Sequence, residues 1–144
     1  MRRIILLLTW TLSFSAFAKN KSTADFYAES EALLKKATAA ANFTEKQKYL
    51  KNLQSSFQAS LDQYEKENPA EAKTDEKEVS LLFSTLEPAF ELLNKKSVRA
   101  KECDLKRQFV LTGDSLGRPE SSPQTKTAQE ALRWIDVLCK NSKN

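Results

Sequence analysis

Histidine is absent from this 144-residue chain, glycine occurs twice, cysteine twice and methionine once. Without histidine the commonest general base and the commonest zinc and haem ligand are missing. His-dependent hydrolysis, histidine-ligated metals and c-type haem attachment are thereby excluded. No catalytic, cofactor or metal set is expected from the residues that remain, and the expectation is binding rather than enzymatic activity. Gly113 and Gly117 are the only glycines, so there is little to punctuate hairpins and much room for long helices. Beyond residue 18 the aliphatic β-branched residues are only Val79, Val98, Val110, Val137 and Ile135, against fifteen leucines. Strands favour the opposite balance. The composition therefore specifies an all-α fold, a four- or five-helix bundle.

A long hydrophobic run is also missing. Met1-Arg2-Arg3 is a short basic start, Ile4 to Leu12 is apolar apart from two threonines, and Ala16-Phe17-Ala18 supplies a small-x-small cleavage pattern. The stretch is too short for a membrane span of about 20 apolar residues and reads as a secretory signal over residues 1–18, removed after Ala18. Residues 19–144 then form a single helical domain without a transmembrane anchor, periplasmic or secreted. Losing Arg2 and Arg3 takes 23 basic residues to 21 against 19 acidic, a net charge of +2 that selects no partner.

Apolar spacing places the helices at about 23–41, 45–67, 76–94, 97–110 and 127–141. The first opens on Ser22 or Thr23 and turns Phe26, Leu33, Leu34, Ala37 and Ala41 inward. Thr44-Glu45-Lys46-Gln47 fits a capping box that starts the second. Its stripe, Leu50, Leu53, Phe57, Leu61 and Tyr64, lies on one face. The third carries Val79, Leu82, Phe83, Leu86, Phe90 and Leu93 in phase across Pro88, where proline predicts a kink or a fresh start capped by Thr85. Beyond Asn94 the phase breaks, because Val98, Leu105 and Phe109 point away from that stripe. Thr127-Ala128-Gln129-Glu130 reads as the capping box of the last helix, with Ala131, Leu132, Ile135 and Leu138 inward and Trp134 at the edge.

Residues 112–126 hold both glycines and two of the four prolines and read as an exposed loop. Within them Gly113-Asp114-Ser115-Leu116, after the apolar Phe109-Val110-Leu111, resembles the nucleophile block of the GDSL esterases and lipases. The resemblance implies a serine attacking an ester carbonyl. In that family the block opens an α/β/α domain near its start and depends on a downstream histidine. Here only 28 residues follow Leu116 and none is histidine, so the serine is not carried over. A turn ending a helix is the expectation, and a serine hydrolase at Ser115 is the remotest of three functional readings.

Cys103 and Cys139 are expected to pair, since exported chains with two cysteines form disulfides. Closing that loop would stabilise the fold by roughly 4 kcal/mol in the chain-entropy treatment. Lys95, Lys96, Arg99, Lys106 and Arg107 fall within about 120° of one another if the segment is helical, which makes them a candidate anion-binding face. Cys103 shares that face, so a buried disulfide would place some of these cations against a packed contact. Two further readings follow. The leading one is an exported interaction protein (adaptor, inhibitor or immunity-type partner, or holdase-like chaperone) whose partner is another envelope or secreted protein. The alternative is an envelope binder of anionic lipid, polysaccharide or nucleic acid through the 95–107 face. A spare apolar face would equally close a homodimer.

Overall fold

The computed structural model describes residues 20–67, 73–114 and 123–142. They form α1 (Thr23–Ala39), α2 (Phe43–Glu67), α3 (Thr74–Leu93), α4 (Ala100–Asp114) and α5 (Pro123–Cys139), with no strand among the described residues. The all-α bundle and the Cys103–Cys139 disulfide anticipated from composition are both present. The segment 1–18 read as a leader lies outside the described residues, as do Ser115 and Leu116.

Ser22 caps α1. Its hydroxyl accepts the Asp25 N–H at 3.3 Å, and the Asp25 carboxylate accepts the Ser22 N–H at 2.9 Å. The helix stops at Ala39, so Ala41, expected on its inner face, is exposed in the connection instead. The cause is local: the Ala41 N–H donates to Glu45 at 3.1 Å and the Glu45 N–H to Asn42 Oδ1 at 3.0 Å. Asn42, not Thr44, is thus the cap of α2. Asparagine is among the best capping residues, and one cap position ahead of Glu45 suffices. Gln47, freed from the expected box, donates instead to the Leu93 and Lys95 carbonyls at 2.7 and 2.6 Å and closes the C-terminus of α3. Lys46 does the same for α5, donating to the Val137 and Lys140 carbonyls at 2.8 and 2.9 Å.

Helix α3 is the most deeply set element, and all six residues of its predicted stripe are buried. It runs unbroken through Pro88. Thr85 does not cap a new helix there; its hydroxyl donates to the Leu81 carbonyl at 2.8 Å, as a threonine within a helix does. Proline deprives the Ser84 carbonyl of its bond, but Ser84 lies on the exposed side of the helix, while the Pro88 ring is buried.

Helix α4 starts later than the expected residue 97 and runs past Val110 to Asp114. Its start is set by the Glu102 carboxylate, which accepts the Arg99 N–H at 3.0 Å. Helix α5 starts at Pro123 rather than Thr127, consistent with proline's fitness for a first helical position. Thr127 and Glu130 are therefore interior residues and form no cap; the Thr127 hydroxyl donates to Thr85 Oγ1 at 3.2 Å. Trp134 is 0% exposed rather than at the edge. It stands three residues after Ala131 and four before Leu138, hence on their stripe.

A run of aromatic contacts threads the core. Phe57 of α2 meets Phe26 of α1 edge-on at 4.7 Å, Phe26 stacks on Trp134 of α5 at 5.8 Å, and Trp134 meets Phe90 of α3 at 5.6 Å. Each such pair contributes about 0.5–1.5 kcal/mol beyond its buried area. Four helices supply these rings and α4 supplies none. Its one aromatic residue, Phe109, faces outward.

Candidate interaction surface

Because α4 brings little apolar surface to the core, other contacts hold it. Cys103, 1% exposed, is bonded to Cys139 at the end of α5. Lys106 pairs with Glu91 of α3, and Arg107 Nε reaches Asp136 of α5 at 2.9 Å while its Nη1 bonds Asp104 at 3.1 Å. Ahead of the helix, Lys95 pairs with Glu102. The hydrogen bond from Lys95, then that from the Arg99 backbone N–H, holds the Glu102 carboxyl below the usual carboxylate range.

The five cations read from sequence as one face are thus distributed. Lys95, Lys96 and Arg99 precede α4, whereas Lys106 and Arg107 sit half-buried on the side of Cys103. Lys95, Lys106 and Arg107 are paired with carboxylates. Lys96 and Arg99 are exposed and make no ion pair among the described residues.

Among the residues that α4 turns outward are large apolar ones. Leu105 is 56%, Phe109 70% and Leu111 52% exposed, and these are the large hydrophobic residues left open among the described residues. Lys101, Leu105 and Phe109 follow one another at four-residue steps and form a ridge opposite Cys103 and Val110. Leu111 is not on that ridge but about 120° round the helix from Leu105, beyond Gln108 and Asp104. Sequence reading registered this ridge only as a loss of phase after Asn94. That phase break was a partial signal: of the three residues out of register with the core stripe, Leu105 and Phe109 are left to solvent while Val98 is buried in the core.

A second polar constellation lies inside the bundle. Glu130 is 3% exposed, and its Oε1 accepts from the Ser30 hydroxyl and from Trp134 Nε1 at 3.2 Å; Trp134 Nε1 also reaches Ser30 Oγ at 2.9 Å. Glu130 Oε2 accepts from Arg133 at 3.0 Å, and Arg133 in turn binds Glu31. The Arg133 contact, with help from Lys35, keeps Glu31 below its usual range. Nearby, burial first and then Glu130 and Glu78 push the Tyr27 phenol up to about 12, so it is a neutral donor at physiological pH. Ser30 touches a carboxylate but is 0% exposed, with no imidazole to relay its proton and no route for a substrate. The cluster fixes Trp134 rather than offering a reactive group.

Among the described residues no group of histidine, cysteine, aspartate or glutamate could hold a metal ion, and no helix is long and apolar enough to cross a membrane. Gly113 and Asp114 of the GDSL-like block are the last residues but one and the last of α4. Comparison with protein-family models, curated proteins and solved structures finds no match to this chain.

Proposed function

We propose that this is an exported binding protein, periplasmic or secreted, that lays the outer ridge of α4 into an apolar groove on a partner protein. The observation that carries the reading is the exposure of Leu105 and Phe109, one turn apart, on a helix whose other face is fastened by a disulfide and ion pairs. Anchors at four-residue spacing are the pattern by which a helix is recognised in a groove. Holding the helix in advance removes part of the ordering cost of binding. The leader pattern at residues 1–18 and the disulfide support an oxidising, exported setting.

Shape and charge favour a groove over the other occupants. A convex ridge of two apolar side chains, Leu105 and Phe109, buries little against a second convex helix, and far less than the roughly 1,200 Å² of a stable dimer. Three apolar side chains interrupted by Asp104 and Gln108 are also a small anchor for a bilayer, where even a single acyl chain binds marginally. Lys101 stands one turn before Leu105 and makes no ion pair among the described residues. The partner's groove therefore carries an acidic group at the end facing the start of α4.

The test is a photo-crosslinker placed at Phe109 and, as a control, at the exposed Lys51 of α2, in the native envelope. One stoichiometric protein joined from 109, not from 51, and lost in the Leu105→Asp/Phe109→Asp variant supports the reading. The same products from both positions, a product consisting of a second copy, or capture confined to lipid or polyanion and lost in high salt would overturn it.

A further inference from the structure

At one end of the bundle the α1–α2 connection, the α3–α4 connection and the C-terminus of α5 surround a cleft of about 400 Å³. Its walls are apolar at Phe43, Val98 and Leu138 and cationic at Lys46, Arg99 and Lys140, and among the described residues no acidic one lines it. The nearest carboxylates in sequence, Glu45 and Glu102, are engaged elsewhere, by the Ala41 N–H and by Lys95 with the Arg99 N–H.

Lys46 is the unusual member. It is 3% exposed, and among the described residues it has no carboxylate partner, its ammonium being met by the carbonyls of Val137 and Lys140. Those two bonds use two of its three donors, and the third has no acceptor among the described residues. A buried charge is ordinarily matched by an opposite one. Among the described residues the further charges at the cleft, Arg99 and Lys140, are of the same sign, and both are exposed and make no ion pair there. Burial and then Lys140 accordingly depress the Lys46 ammonium below its usual range. Lys46 also covers the carbonyls at the negative end of α5, so that end presents less negative charge to the cleft.

We infer that this cleft binds a small soluble organic oxyanion, a carboxylate or phosphate monoester, with its charged group among Lys46, Arg99 and Lys140 and its apolar part on Phe43, Val98 and Leu138. The guanidinium of Arg99 offers the planar pair of donors that suits either group. The volume lies at the lower end of that of small-molecule sites, which fits a ligand of roughly ten to fifteen heavy atoms rather than a bare ion. None of these side chains belongs to the outer ridge of α4, so this site and the partner-binding ridge stand or fall separately.

Titration of the intact, oxidised protein with benzoate and with phenyl phosphate, followed by amide chemical shifts, tests it; inorganic phosphate and benzyl alcohol are the charge-only and apolar-only controls. Saturable shifts clustered at residues 41–46, 97–99 and 138–142 are expected with at least one aromatic anion, whichever of the two binds more tightly naming the class. Both controls should bind more weakly. Arg99→Gln and Lys140→Gln alter exposed residues and leave the fold intact, and each should weaken binding by roughly tenfold. Lys96→Gln, outside the cleft, should change nothing. No saturable shift with either anion below about 10 mM, a weak regime for any specific site, would overturn the assignment, and so would equal weakening by Lys96→Gln and Arg99→Gln.

Discussion

Glu130 carries a carboxylate into a place from which water is excluded, and three donors converge on it: the Ser30 hydroxyl, Trp134 Nε1 and Arg133. A satisfied buried acceptor is a modest net gain, but removing it strands its donors. Glu130→Ala is therefore expected to cost about 2–3 kcal/mol. Ser30→Ala, after which Trp134 still has Glu130, should cost only about 1 kcal/mol. Urea denaturation of both variants checks the order, and equal costs would mean that Glu130 is not the hub. Tyr27, beside this cluster, titrates with its phenol raised from 10.0 to about 12. A raised acid binds its proton more tightly when folded, so its stabilisation is complete below pH 10 and is lost as pH rises through about 12. Burial raises the Tyr64 phenol as well, so tyrosinate absorbance should show two late-titrating tyrosines; Tyr27→Phe should remove the one near 12 and flatten the fall of stability across that window. At the surface, Leu105→Asp with Phe109→Asp should move stability by no more than about 0.5 kcal/mol. That small effect would make the pair a clean probe of binding.

Among the elements, the turn between α1 and α2 decides between two candidate caps, Asn42 and Thr44, two residues apart. Asn42→Ala should cost about 1 kcal/mol, because the Glu45 N–H loses its acceptor. Thr44→Ala, an exposed change inside the helix, should stay within about 0.5 kcal/mol. Thermal or denaturant melts of the two single variants distinguish them. The same turn shows why the stripes were legible in sequence and the ends were not. Leu50, Leu53, Phe57 and Tyr64 repeat at helical spacing, and burial follows directly from that geometry. A capping motif, by contrast, is a few polar residues whose alternatives differ by about 1 kcal/mol, and tertiary contacts decide among them. Gln47 went to the C-terminus of α3 and Glu130 to the interior, destinations that depend on helices distant in sequence. The cleft was invisible for the same reason, since Lys46, Arg99 and Lys140 meet only when three chain segments converge. Arg99 alone of these was singled out beforehand, as part of a basic run, and the exposed ridge was visible only as a break in phase.

Across the whole molecule, attachment is uneven. Helices α1, α2, α3 and α5 share a continuous aromatic core, whereas α4 contributes the buried Cys103 and Val110 and otherwise relies on the disulfide and on ion pairs to α3 and α5. An element with few buried apolar contacts opens first. Breaking a cross-link that spans 36 residues releases roughly 4 kcal/mol of constraint on the unfolded chain. Reduction should therefore raise amide exchange throughout α4 while the four core helices remain protected, and it should weaken partner capture through the Phe109 ridge. Acid should deepen the effect. Glu102 has its carboxyl held below the ordinary range by Lys95, so the unfolded segment binds a proton at higher pH than the folded one. Its contribution is present above the usual carboxylate pKa and is lost as pH falls through the folded value. Relative to the intrinsic exchange rate at each pH, protection of α4 in the reduced protein should accordingly drop once the pH falls below the usual carboxylate pKa, and Glu102→Gln should already be less protected at pH 7, with a smaller pH dependence. Uniform loss of protection in all helices on reduction, or α4 exchange indifferent to the disulfide, would show that α4 belongs to the same cooperative unit as the core and is not a separately fastened binding element.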